Sequence, residues 1–269
     1  MKTGIIGYGS MGKMLLRKFS EAGVSSAEDL LVSNRTIEKL AEASSAAVIC
    51  RDNKELAAHS DIIFVCVRPS DLKDVLREIK NGLKPGALVV SLNGSISFDT
   101  LSKIIPQKMA KVIPSVTAEI NRSQTLVCFN ERVDEDSRKT LTGLLTCIGD
   151  VIELPEREMG MGAELVSCMP GFIASIFDVL CRSAKQHTEI PMEQVVNMVL
   201  NTMSASAELM LRSGMTFEEV VGRVATKGGI TEEGTKVINE MFPAAADTLF
   251  NKTLDKRRVI SENAEKNFS

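Results

Sequence analysis

The sequence predicts an α/β protein: an N-terminal doubly wound sheet of the Rossmann type, followed by an all-α C-terminal domain. Three observations carry this. A glycine-rich turn, Gly7-Tyr8-Gly9-Ser10-Met11-Gly12, stands between an apolar N-terminal run and a helical pattern. Short apolar runs then alternate with amphipathic segments over about 150 residues, as strands separated by helices do. From Pro155 onward no strand pattern remains and every segment reads as helix. The division is therefore placed between residues 1–154 and residues 155–269.

Each element follows from its own residues. Gly4-Ile5-Ile6 is the first strand, and Met14, Leu15, Phe19 and Ala22 mark the apolar face of the helix after the glycine turn. In such a turn the first glycine allows the bend, the second lets backbone approach a pyrophosphate, and the third lets helix and strand pack closely. Gly23 is placed to end that helix. Leu30-Leu31-Val32-Ser33 is the second strand and runs into Asn34-Arg35-Thr36. An NAD site places an acid about 20 residues past the glycines, for the ribose 2′-hydroxyl. Here Asn34 and Arg35 offer donors and positive charge instead, which favours NADP(H) over NAD(H); a solvated strand-end arginine is the plainer alternative.

Alternation continues with a helix over residues 37–44, a short strand Ala47–Cys50 and a brief helix Asn53–His59. The unbroken apolar run within residues 61–67 suits a parallel strand buried on both faces. Arg68-Pro69 stops it, and Ser70 is placed to cap a helix reaching about Asn81. Further strands are read at 87–92, 111–114, 125–130 and 150–154, with a helix over 134–146. Beyond Pro155 the helices are read at 158–187, 192–212, 217–225, 231–241 and 244–266. Several are apolar around most of their circumference and rich in methionine, so a subunit interface is expected to cover them. Between two of them, Gly228-Gly229-Ile230-Thr231 reads either as a plain helix cap or as a turn whose N–H groups and Thr231 hydroxyl face a carboxylate.

Composition narrows the function. The 269 residues hold 44% hydrophobic and 25% charged side chains, with a net charge of -3, which gives no reason to expect nucleic acid or an anionic membrane as a partner. The chain starts as a strand rather than a signal peptide, and the apolar stretch 171–181 is too short to span a bilayer. Six scattered cysteines without a C-x-x-C pair, and two histidines, give no metal site and suit a cytoplasmic protein with reduced thiols.

Taken in order, Gly7–Gly12, Ser33-Asn34-Arg35, Asp52-Asn53-Lys54-Glu55, Val67-Arg68-Pro69, Ile113-Pro114 and Gly228–Thr231 resemble the pyrroline-5-carboxylate reductase family along nearly the whole chain. The resemblance implies a Rossmann domain, a helical domain that interlocks two subunits, and NAD(P)H-dependent reduction of a cyclic imine carboxylate to proline. By match it implies that Gly7, Tyr8, Gly9, Ser10, Met11 and Gly12 hold the pyrophosphate, and that Asn34 and Arg35 meet the 2′-phosphate. It places Asn53 on the adenosine side and Val67, Arg68 and Pro69 along the nicotinamide ribose. Gly228, Gly229, Ile230 and Thr231 would bind substrate, Thr231 meeting its nitrogen.

Two departures stand out. The family's Met-Pro-Asn-Thr-Pro is here Ile113-Pro114-Ser115-Val116-Thr117, and its Ser-Gly-Ser-Gly-Pro-Ala is Ser167-Cys168-Met169-Pro170-Gly171-Phe172, bulkier at Met169 and Phe172. The chain is therefore similar to a divergent member, such as the reductase-like paralogue of bacterial competence operons. An NADP-binding regulator with a lost or altered substrate is the alternative to proline biosynthesis. A β-hydroxyacid dehydrogenase is set aside, because that class needs a lysine on the first interdomain helix and residues 158–181 contain none.

Overall fold

The computed structural model describes residues 1–268, and the chain divides into two compact units: Met1–Cys168 with Leu254–Ser269, and Met169–Thr253. The first unit holds one eight-stranded sheet. Its strands are β1 (Thr3–Ile6), β2 (Leu30–Ser33), β3 (Val48–Ile49), β4 (Ile62–Val65), β5 (Leu88–Ser91), β6 (Lys108–Ile113), β7 (Ser123–Phe129) and β8 (Gly149–Glu153). They lie in the order β3-β2-β1-β4-β5-β6-β7-β8. From β3 to β6 every neighbour is parallel, and in this order the chain reverses its direction of travel across the sheet between β1 and β4.

Apolar residues on alternate strand positions feed two cores. Ile5, Val32, Phe64 and Val90 face one side, where α1 (Ser10–Glu21) brings Leu15 and Phe19. The rings of Phe19 and Phe64 stand 5.4 Å apart. Ile6, Ile63, Val65 and Val89 face the other side, against Leu56 of α2 (Asn53–His59) and Leu72, Leu76 and Ile79 of α3 (Pro69–Ile79). Each such side chain, fully buried, contributes roughly 1.5–3 kcal/mol. The register then aligns the strand ends. Ile6 lies opposite Ser33 and Val65, Val65 opposite Ser91, and Ser91 opposite Lys111. The loops after β1, β2, β4 and β5 therefore leave the sheet along one edge, the edge where open α/β sheets bind ligands.

Several local expectations change. Ser70 does not cap α3; Arg68 stands at the N-cap without a side-chain bond and Pro69 opens the helix, where its missing N–H costs nothing. Residues Ile37–Ala43 wind as a 3₁₀ helix. A short helix α4 (Phe98–Ser102), capped by Ser97, was not foreseen, because five residues carry too little periodicity. β7 runs antiparallel to β6. Only residues 114–122 join them, too few for the crossover that a parallel pair needs. Asn121, in a left-handed conformation at φ 56°, helps the chain turn back. After α5 (Glu135–Leu145), β8 pairs parallel with β7.

The helical part also differs in detail. The run expected over residues 158–187 is α6 (Met159–Ala163), a π turn Glu164–Cys168 and α7 (Met169–Lys185). Pro170 has no N–H for the carbonyl four residues back, and the turn before it widens. Residues 155–168 and the chain end belong with the sheet rather than with the helices between them. A Cβ on Gly162 would come within 2.7 Å of Leu126 and Leu154, and Ala264 is buried in the second of the two cores.

The second unit contains α7, α8 (Met192–Ser213), α9 (Phe217–Val224) and the first part of α10 (Ile230–Phe268). Gly214 ends α8 at φ 69°, and Thr216 with Glu219 forms a reciprocal capping box on α9. The break expected between residues 241 and 244 is absent. α10 passes through Pro243, carried by the strong helix formers Ala244, Ala245 and Ala246. The helical run Glu156–Lys185 is long and apolar enough to cross a membrane by length and composition, which the shorter stretch read from sequence did not suggest. Its most apolar window, of mean hydropathy 1.6, is only 11% buried.

Candidate dinucleotide site

The loop from β1 to α1 has three glycines with different jobs. Gly7 adopts φ +95°, and a Cβ there would meet the Cys66 carbonyl oxygen at 2.7 Å. A Cβ on Gly12 would lie 2.0 Å from the Gly7 carbonyl oxygen, so the third glycine seats the helix on the loop. Gly9 differs. Its backbone (φ -88°, ψ -164°) is open to any residue, and nothing lies within 4 Å of where its Cβ would be. Packing does not require a glycine at that position, and the space over it is open.

The helix start fits a phosphate. Lys13 N–H is the first to bond back, to Gly9 O at 2.9 Å. The N–H groups of Ser10, Met11 and Gly12 have no side-chain cap, and the first turn carries no acid. Ser10 and Met11 are exposed. Free N–H groups, the positive end of a 12-residue helix and room over Gly9 together make an anion cradle.

The loop is held from β2. Gly7 N–H donates to Ser33 O at 2.9 Å, and Tyr8 N–H donates to Asn34 Oδ1 at 3.0 Å. Ser33 Oγ in turn donates to Asn53 Oδ1 at 2.8 Å, and Asn53 Nδ2 donates to Glu78 Oε2 at 2.8 Å. A carboxylate only accepts, so Glu78 fixes which end of the Asn53 amide faces it. One amide hydrogen of Asn53 remains after these bonds. Arg35, just past Asn34, is exposed and makes no ion pair among the described residues. Val67 packs on Gly7, where a Cβ would stand 3.1 Å from Val67 Cγ1, and Arg68 and Pro69 follow, both exposed, at the start of α3.

Behind the loop, Tyr8, Lys13, Arg17, Glu42 and Glu119 line a cleft of about 380 Å³. Burial, then the nearby Glu42, pushes the Tyr8 phenol up from 10.0. Lys13 pairs with Glu42 and Arg17 with Glu119, so these charges are already matched. Two residues that the sequence reading passed over carry polar chemistry elsewhere in this unit. Lys111 is buried, pairs with Glu156 and lies 4.6 Å above the Phe98 ring. Asn93 is buried in the loop after β5 with its amide nitrogen unpartnered. Asn93-Gly94 looks like an ordinary turn in the sequence, and only burial distinguishes it.

In the second unit, the Gly228–Thr231 turn precedes and opens α10. Gly228 adopts φ +74° and its N–H donates to Glu232 Oε2 at 2.6 Å. The acid that reaches back to the turn is therefore Glu232. The helix begins at Ile230, so Thr231 lies inside its first turn and does not cap it. Its exposed hydroxyl makes no hydrogen bond among the described residues. Gly229 N–H is used by Thr226 O, whereas Ile230, Thr231 and Glu232 N–H precede the first bond back, Glu233 N–H to Gly229 O at 3.3 Å. Among the departures, Ser115 is buried, takes Thr117 N–H on its hydroxyl and donates its own N–H to Ser123 Oγ. It is committed to holding its own turn.

A separate apolar groove of about 520 Å³ lies in the second unit, lined by Phe177, Met198, Val199, Met203 and Met210 without a titratable side chain. Leu211, Phe217, Ile230 and Met241 of the same unit are more than 60% exposed.

Known proteins resemble this chain end to end. Residues 2–94 match the family described as NADP oxidoreductase coenzyme F420-dependent, and residues 156–260 match that described as pyrroline-5-carboxylate reductase dimerisation. Pyrroline-5-carboxylate reductase 3 of Bacillus subtilis is 29% identical over 98% of both chains. ComE operon protein 4 of the same organism is 24% identical over 94% of both. Among solved structures, Plasmodium falciparum pyrroline carboxylate reductase with NADP bound superposes with a TM-score of 0.83 at 21% identity, covering 100% of this chain and 98% of that one.

Proposed function

From a chain that is a divergent relative of the pyrroline-5-carboxylate reductase family along its whole length, we propose an NAD(P)H-dependent oxidoreductase that reduces the C=N bond of a cyclic imine carboxylate, pyrroline-5-carboxylate, to give proline. NADP(H) is the favoured cofactor, the protein is cytoplasmic, and its pathway is proline biosynthesis. The carrying observation is the Gly9 loop, whose open space and uncapped helix N–H groups accept a pyrophosphate. In this reading residues 1–154 bind the dinucleotide and residues 155–269 dimerise and bind substrate.

Roles follow from the chemistry each group has free. Gly7, Tyr8, Gly9, Ser10, Met11 and Gly12 cradle the pyrophosphate. Asn34 and Arg35 take the 2′-phosphate, Arg35 having no other charge to meet. The remaining amide hydrogen of Asn53 faces the adenosine side, and Val67, Arg68 and Pro69 line the way to the nicotinamide ribose. Bound NADPH supplies the hydride. The chain supplies position: the free N–H groups of Ile230, Thr231 and Glu232 suit a carboxylate, and the Thr231 hydroxyl suits the imine nitrogen. The apolar faces of the second unit are the interface of a homodimer.

The test follows absorbance of reduced nicotinamide with purified protein, NADPH and pyrroline-5-carboxylate. Turnover that falls at least tenfold in Thr231→Ala, with NADPH binding retained, is the expected result. NADPH binding without turnover would sink the proline reading. It would favour the alternative, an NADP-binding paralogue with a regulatory or competence-related role, which the ComE operon protein 4 relationship supports.

A further inference from the structure

Asn93 is held through its backbone N–H and its side-chain oxygen, and its amide nitrogen is left without a partner. The residue lies two positions past Ser91, which is level with Val65 and Ile6, so it belongs to the same sheet edge as Gly7 and Val67. Its backbone N–H donates to Ser91 Oγ at 3.1 Å. Its Oδ1 accepts the Ser95 N–H at 2.9 Å. The next residue closes the loop against β6: a Cβ on Gly94 would lie 2.8 Å from Ile113 Cδ1. With Oδ1 taken by an N–H, the other end of the amide is necessarily the NH₂ group. Asn93 is only 8% exposed, and this nitrogen has no acceptor.

A buried amide donor that cannot swing out to water is costly to the folded chain, and such groups persist where something else uses them. The loop after β5 lies on the far side of the β1–β4 reversal from Arg35, the half of the crevice that takes the second nucleotide of a dinucleotide. We infer that Asn93 is a ligand-binding residue, donating from Nδ2 to an oxygen acceptor of the bound reactants, either the nicotinamide half of the cofactor or the substrate carboxylate. This rests on the reductase reading above.

The experiment compares the wild type with Asn93→Ser and Asn93→Asp. Serine and aspartate both keep an oxygen that can accept the Ser95 N–H, and both remove the NH₂ group. NADPH affinity is measured without substrate, and KM for pyrroline-5-carboxylate at saturating NADPH. Losing one such bond corresponds to about a tenfold change. A tenfold weaker NADPH affinity in Asn93→Ser, with an unchanged or higher thermal midpoint, assigns the donor to the cofactor. A tenfold higher substrate KM with unchanged NADPH affinity assigns it to the substrate. Unchanged affinity and KM in a folded Asn93→Ser overturn the inference. A lower thermal midpoint as the sole effect also overturns it, showing a donor that serves the loop alone. A wild-type protein that fails to bind NADPH refutes the reductase reading instead, and that result is visible before any variant is made.

Discussion

Single atoms decide most at the glycine loop. Gly9 and Gly12 stand three residues apart and make opposite predictions. Gly9→Val places its side chain in open space with a permitted backbone, so the thermal midpoint stays within a few degrees while NADPH binding is lost. Gly12→Ala puts a Cβ 2.0 Å from backbone, and it lowers the midpoint whether or not cofactor is present. Thermal melts with and without NADPH separate the two. The thiols give a pH prediction. Burial pushes Cys50 and Cys128 up to about 11 from 9.0. A raised folded-state value favours the fold fully below the unfolded value, and the gain is lost as pH climbs through the folded one. The unfolding midpoint therefore falls between pH 9 and 11, and it falls less steeply in the Cys50→Ala, Cys128→Ala protein. At this scale the sequence was legible for residues whose type alone constrains them. Gly7 and Gly12 sit where a G-x-G-x-x-G needs them. Asn53 was placed on the adenosine side by resemblance alone; that Ser33 and Glu78 hold its amide and leave one hydrogen free is not legible in the sequence. Asn93 was invisible, because its meaning lies in burial.

Elements are fixed by packing that sequence patterns only partly encode. Strands β1, β2, β4 and β5 were readable since unbroken apolar runs suit two-sided burial. The reversal of β7 was not, because it depends on the length of the link rather than on the strand itself. The π turn escaped for a similar reason. Within it Glu164 is 2% exposed, and the guanidinium of Arg257 reaches one of its oxygens from Nε at 3.0 Å and Nη2 at 2.7 Å. Removing one partner of such a buried pair costs about 3–5 kcal/mol. Arg257→Met is accordingly expected to lower denaturant stability by that amount, and Glu164→Met with Arg257→Met to recover more than half of it. A double variant as unstable as the single one would show that the arginine matters through packing instead. The same argument applies to the Ser33–Asn53–Glu78 chain. Glu78→Leu frees the Asn53 amide to turn, and NADPH affinity is expected to drop about fivefold, while Glu78→Gln, which can still accept the hydrogen bond, restores most of it.

For the whole molecule, the open question the chain poses to water is its second unit. Side chains such as Leu211 at 76% and Phe217 at 81% exposure are a poor fit to solvent. The sequence pointed to this surface through helices apolar on most sides, though it could not say which residues stay uncovered in one chain. A homodimer is expected by sedimentation at micromolar concentration. Met198→Glu, in the apolar groove, is expected to shift it to monomer with NADPH binding intact. Monomer in the wild type would remove the interface reading. The other global feature is the return of the chain end to the sheet. Ala264 and the Arg257–Glu164 pair complete a unit whose other residues end at Cys168. On the ribosome, the sheet must therefore wait for the whole of Met169–Thr253 to be made before its last helix arrives. At roughly 5–20 residues per second that delay is on the order of ten seconds. A nascent chain would spend it with the seat of Ala264 bare, and a gene fragment ending at residue 168 would encode all eight strands without the helix that covers that seat.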